Sequence, residues 1–209
     1  MENTNSTLTK LQESIDSLKN ENLTLKNEIV QLKKNNDTLQ GELYDLKLEM
    51  QDLQQYSRRD NVEIVGIPQT REEDVYSIVS AVATALKVPY DRDLVSVAHR
   101  VPRSRERKGH PSIIVKFVSR RTRDSWMAAS RDKTRGKLRT TDVHPSLHPG
   151  DVFINEHLTA HKTLLYRAKA LVKDKKLKYA WVRDGKVLVK KEVDSNTVRV
   201  FDVEGLAQV

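Results

Sequence analysis

The chain has 209 residues, a net charge of +8 and no cysteine. Without cysteine there are no disulfides and no thiolate metal or redox chemistry, which fits a reducing compartment. No run approaches the ~18 apolar residues of a membrane span, and the opening MENTNSTLTK lacks the apolar core of a signal peptide, so a cytoplasmic or nuclear protein with no membrane partner is expected rather than a secreted one.

The first expected element is a helical rod. Leu11, Leu18, Leu25, Leu32, Leu39, Leu46 and Leu53 stand at every seventh position, and Leu8, Ile15, Asn22, Ile29, Asn36, Leu43 and Met50 fall between them. That alternation of spacings makes them the d and a positions of a coiled coil. A helix over residues 8–57 would be roughly 75 Å long. One helix alone cannot bury such a stripe. The flanking charges identify the partner. Glu21, Glu28, Glu42 and Glu49 occupy g, and Lys19, Lys26, Lys33 and Lys47 occupy e. In a parallel pairing Glu21 meets Lys26, Glu28 meets Lys33 and Glu42 meets Lys47, whereas an antiparallel pairing sets like charges together. Residues 1–57 are therefore expected to form the rod of a parallel homo-oligomer. Asn22 and Asn36 in the seam favour a dimer, with a trimer left open.

Residues 58–145 read as the second domain. NVEIVGIP, residues 61–68, alternates as a strand and ends at Pro68. Thr70 and Glu73 fit a T-x-x-E capping box that opens a helix, with Val75, Ile78, Val79, Val82 and Leu86 on its apolar face. Pro89 stops it. Strands follow at 94–101 and 112–118, with the basic loop PRSRERKGHP between them. A second helix fits 120–133 and a short strand 138–143. The order βαββαβ predicts an α+β, ferredoxin-like domain with one sheet face under both helices. RNA-recognition motifs share this topology and stack bases on aromatics of the central strands. Here Glu63, Ser112 and Ile114 hold those positions, and Phe117 reads as core. Nucleic acid would therefore be held mainly through its phosphates.

Residues 146–209 read as a small basic α/β domain. His144 to Gly150 is a turn-rich linker, and 152–155 a short strand. Thr159 caps a helix to about Lys175. Leu164, Leu165, Ala168, Leu171 and Val172 point inward, and Lys162, Arg167, Lys169 and Lys173 outward. Residues 179–189 form a hairpin turning at Asp184-Gly185, with Trp181 read as core in preference to a ring that stacks on a base, and 198–201 add a strand.

Charge is distributed unevenly. Residues 1–57 carry −4, residues 100–139 carry +11 and residues 162–191 carry +9. An acidic rod followed by two basic blocks points to a polyanion partner, single-stranded RNA or DNA. The contact residues expected from these blocks are Arg100, Arg103, Arg105, Arg107, Lys108, Arg120, Arg121, Arg123, Arg131, Lys133, Arg135, Arg167, Lys169 and Lys173. Catalysis finds no support. His157 and His161 share a helix face but lack a third ligand, Asp142, Asp151 and Glu156 are scattered, and no glycine-rich loop cradles phosphate. No catalytic residue, metal or cofactor is expected.

The stretch Tyr56-Ser57-Arg58-Arg59-Asp60-Asn61-Val62-Glu63-Ile64-Val65-Gly66-Ile67-Pro68, with His99-Arg100-Val101 and Ile113-Ile114-Val115-Lys116-Phe117, resembles the RNA-binding domain of LINE-type retrotransposon first-frame proteins. Ile154-Asn155-Glu156-His157-Leu158-Thr159 and Tyr179-Ala180-Trp181-Val182-Arg183-Asp184-Gly185-Lys186-Val187 resemble the baculovirus few-polyhedra (FP) proteins and their insect relatives. The resemblance implies a self-associating, non-catalytic nucleic-acid-binding protein. In the retrotransposon branch it would coat RNA. In the viral branch it would be virion-associated, meeting nucleocapsid or other viral proteins and influencing occlusion. The retrotransposon family's basic R-x-K-x-R segment falls on Arg131, Lys133 and Arg135, interrupted by Asp132. The vertebrate members are trimers, so dimer and trimer both stay open.

Overall fold

The computed structural model describes residues 2–102, 109–132, 136–159 and 161–209. Residues 1–50 and 51–209 are separate compact units.

The first unit is most of α1 (Glu2–Tyr56), one uninterrupted helix. Thr9, Thr24 and Thr38 return their hydroxyls to the carbonyls one turn back, at 3.0, 3.1 and 3.0 Å, so these poor helix formers sit in it without an unsatisfied group. The leucines of the repeat lie exposed, Leu18 by 59% and Leu32 by 66%, because a lone helix offers no surface to bury them.

The second unit begins with the last turn of α1. β1 (Asn61–Val65) leads to α2 (Val75–Leu86), β2 (Val95–Arg100), β3 (Ile113–Phe117), α3 (Arg120–Arg131), the single turn α4 (Thr140–Val143) and β4 (Phe153–Glu156). The sheet order is β2-β3-β1-β4, antiparallel throughout. Alternate residues of the central strands (Val62 and Ile64, then Ile113, Val115 and Phe117) pack against Val79, Val82, Trp126 and Met127 of the two long helices. Each large side chain buried there contributes roughly 1.5–3 kcal/mol. Phe117 sits 5.1 Å from Trp126, ring to ring, inside this core. Gly66 has φ +104°, and a Cβ there would meet the Asp151 carbonyl oxygen at 2.2 Å, so only glycine fits beside the entry to β4.

Two expectations fail in this unit, the first through a distant contact and the second through a local one. The cap of α2 is Asp74, whose carboxylate accepts from the Tyr76 N–H at 2.9 Å and the Ser77 hydroxyl at 2.5 Å. Glu73 turns away to the Arg100 guanidinium. The stretch expected as a strand at 138–143 is α4, because the Asp142 carboxylate accepts from the Arg139 N–H at 2.8 Å and closes a turn. The buried Thr140 hydroxyl then donates to the His148 carbonyl at 2.6 Å. The fourth strand is the one expected at 152–155. It pairs with β1, setting Ile154 opposite Ile64 in the first core.

α5 (His161–Lys173), β5 (Tyr179–Arg183), β6 (Lys186–Lys190), β7 (Val198–Val200) and α6 (Val203–Ala207) follow. The sheet β5-β6-β7 packs Val187, Val189 and Val200 against Leu164 and Ala168 of α5, a second core. Asp184 and Gly185 both take positive φ, 53° and 75°, as a two-residue hairpin turn requires. Asp202 caps the unforeseen α6 by accepting from the Gly205 N–H at 2.7 Å.

Candidate nucleic-acid interface

A seam of buried polar groups joins the two lobes of the second unit. Glu156, at the end of β4, accepts from the Gly185 N–H at 2.6 Å and lies 3.2 Å from the guanidinium nitrogens of both Arg123 and Arg131. His161 Nδ1 donates to the Gly185 carbonyl at 2.9 Å. On the opposite face of the sheet, Glu63 receives the Lys162 ammonium at 2.8 Å and the Ser112 hydroxyl at 2.7 Å. Burial works against the Glu63 charge. Hydrogen bonds from Lys162 and Ser112, with the Lys162 charge, outweigh it and hold the carboxyl below its ordinary range. Gln55 closes the seam. Its amide donates to the His157 carbonyl at 2.9 Å and accepts from the Thr159 N–H at 3.0 Å. Asn61 donates to His157 Nδ1 at 3.0 Å, which assigns that imidazole the neutral Nε2–H form. Burial, then the neighbouring Arg58 charge, lower its pKa in agreement.

With the lobes pinned, a cleft of about 900 Å³ opens between them. Phe153 and Asn155 of β4, Arg131 of α3, Lys162, Tyr166 and Lys169 of α5, and Trp181 of β5 line it. Phe153 is 52% exposed and Tyr166 77%. The β-period of β4 puts Phe153 and Asn155 on one side of that strand. The helical spacing of 162, 166 and 169 stacks those three side chains on one face of α5. The wall therefore offers ring faces for unstacked bases and, in Lys169, an ammonium unpaired among the described residues for a phosphate, since Lys162 is held by Glu63.

The structure divides the residues expected from the basic blocks. Arg131 and Lys169 reach the cleft. Arg121, Arg167 and Lys173 are exposed elsewhere, and Arg120 lies 3.4 Å from Asp60 at the surface. Arg100 stands apart. Its guanidinium donates to both Glu73 oxygens and to the carbonyls of Ile67, Pro68 and Pro111. An arginine has five N–H donors, so none is left for a phosphate. Arg123 is likewise buried, against Asp124 at 2.8 Å and Glu156. Both hold the fold together rather than offering a surface contact. Arg103, Arg105, Arg107, Lys108, Lys133 and Arg135 lie outside the described residues. The expected seam residues, from Leu11 through Ile15, Asn22 and Asn36 to Leu53, are all exposed along α1. Sequence reasoning missed Phe153, Tyr166 and Lys137 as cleft residues, and Trp181, read as core, lines the cleft instead. The i, i+4, i+7 spacing of 162, 166 and 169 is the readable signal for Tyr166.

Residues 59–154 match the family model described as Baculovirus FP protein domain 1, and residues 159–207 match Baculovirus FP protein domain 2. No curated protein matches the chain.

Proposed function

We propose that this chain, which belongs to the baculovirus FP protein family, is a non-enzymatic, self-associating protein that coats single-stranded RNA or DNA. The observation that carries this reading is the cleft, where Phe153, Tyr166 and Trp181 stand with Arg131 and Lys169, although Glu63, Asp132, Asp142, Asp151 and Glu156 share its lining and Glu63 holds Lys162. Stacking on such rings is worth about 1–3 kcal/mol per base and tolerates any sequence. The antiparallel order β2-β3-β1-β4, with both long helices packed on one core, supports reading the first lobe as ferredoxin-like. The exposed seven-residue stripe of α1, with its matched Glu and Lys flanks, supports a parallel coiled coil of two or three copies.

Salt titration with a fluorescent oligonucleotide tests it. The log–log slope should be steep, about −0.7 for each phosphate neutralised on a single strand. Tyr166→Ala with Lys169→Gln should weaken binding by about tenfold or more, through one lost stack and one lost cation, and flatten the slope by about 0.7. Salt-independent binding, or a double variant equal to wild type, would remove the cleft from the reading. A second reading is favoured by the family itself: a viral assembly protein that contacts nucleocapsid proteins and influences occlusion. Absence of oligonucleotide binding at low salt would favour it.

A further inference from the structure

A second cavity, of about 530 Å³, lies in the same unit at the end of α1, away from the aromatic wall. The last turn of α1, the first turn of α3, the strap after β4 and the 184–185 turn enclose it. Its basic lining is Arg58, Arg59, Arg120, Arg123, Lys186 and Arg199. Three carboxylates oppose them: Asp52, Glu156 and Asp184. Two of these are already occupied. Arg199 holds Asp52 through both oxygens, at 2.5 and 2.7 Å, and Glu156 is held by Arg123, Arg131 and the Gly185 N–H. Of the basic groups, Arg58 and Lys186 have no ion pair among the described residues, and Arg59 stacks on Tyr56 with its charge 4.1 Å from the ring centre. The cavity therefore keeps a surplus of positive charge.

Arg123, only 6% exposed, lines the cavity but is held by Glu156 and Asp124, so the cations open to a ligand there are Arg58 and Lys186. An oxyanion in the cavity would draw on Arg58 and Lys186, and the compact, multiply charged acceptor that suits several converging cations is a phosphoryl group.

We propose that this cavity is a phosphate-binding subsite that holds the backbone of the same single strand whose bases enter the cleft. In its nucleic-acid occupant it rests on the function proposed above. In its anion chemistry it does not. The cleft then supplies stacking, and the cavity anchors a phosphate beside the last turn of α1.

The experiment uses the full chain, wild type and Arg58→Gln with Lys186→Gln. Neither side chain makes an ion pair or side-chain hydrogen bond among the described residues, so the double variant should fold. In the first arm, inorganic pyrophosphate is titrated at constant ionic strength and Tm is followed. Wild-type Tm should rise with pyrophosphate and the variant's should not. In the second arm, oligonucleotide affinity is measured against salt, and the variant's slope should flatten by up to about 1.4, at roughly 0.7 for each phosphate no longer neutralised. A wild-type Tm indifferent to pyrophosphate, or an equal response of the two proteins, overturns the subsite while leaving cleft binding standing. Pyrophosphate binding without oligonucleotide binding keeps the anion site and overturns the nucleic-acid function instead.

Discussion

Glu156 ties three partners of the second unit together. It is buried, and it neutralises Arg123, contacts Arg131 and accepts the Gly185 N–H. Glu156→Gln keeps the shape and one acceptor oxygen but removes the charge. Breaking a buried pair by neutralising one partner typically costs about 3–5 kcal/mol, because the other charge stays buried. Arg123 retains Asp124 at 2.8 Å, and Asp124 is half exposed, so the lower end applies. Arg131 is 58% exposed and rehydrates, which adds little. The expected loss is about 3 kcal/mol, roughly a 150-fold shift of the folding equilibrium. Urea denaturation of the full chain, followed by near-ultraviolet circular dichroism at Trp126 and Trp181, measures it. Glu156→Gln with Arg123→Met should recover part of the loss, since both charges then leave the interior together. A loss under about 1 kcal/mol for the single variant would refute the claim that this carboxylate holds the lobes together.

Two further outcomes follow from the same structure. Leu25→Pro with Leu32→Pro, which removes two seam residues and two helical N–H donors, should turn an oligomer into monomers in sedimentation at micromolar concentration; a wild type already monomeric there would end the self-association proposal. His157 has a folded pKa below its ordinary value of 6.5, so the unfolded chain binds its proton first as pH falls. Its contribution to stability is complete above about pH 6.5 and declines below it, and His157→Gln should flatten the pH dependence of Tm just under that value.

Local pattern makes most elements legible. The alternation in NVEIV, the apolar run IIVKF and the Asp184-Gly185 turn are strong signals, and the chain obeys them. The turn α4 replaces an expected strand through a local contact of Asp142 with Arg139, whereas the misplaced helix cap arises where a distant partner competes with a local one and wins. Thr70 and Glu73 satisfy the spacing of a capping box, but Glu73 answers to Arg100, which follows it by 27 residues. The same limit governs the basic blocks. Arg100 and Arg121 are equivalent in a charge count, yet one commits all its donors inside the fold and the other faces solvent. Periodicity on α5 identifies its apolar face and places Tyr166 on one stripe with Lys162 and Lys169, without saying what that stripe meets. Its role depends on what lies across the cleft, which only the fold brings near.

The seven-residue repeat also bears on whether the proposed assembly would disturb lobe docking. Leu53 is a d position, so Asp52 falls at c and Gln55 at f. These last two are on the side of the helix away from the seam, and they are the residues that the second unit uses. Asp52 takes Arg199, and Gln55, buried, takes His157 and Thr159. Leu53 in the same turn stays 69% exposed. A partner helix arriving on the a/d side would therefore displace none of the contacts that fix the lobes. The proposed self-association would therefore leave the lobe contacts of Asp52 and Gln55 in place, because the repeat puts them on the side of the turn away from its leucines.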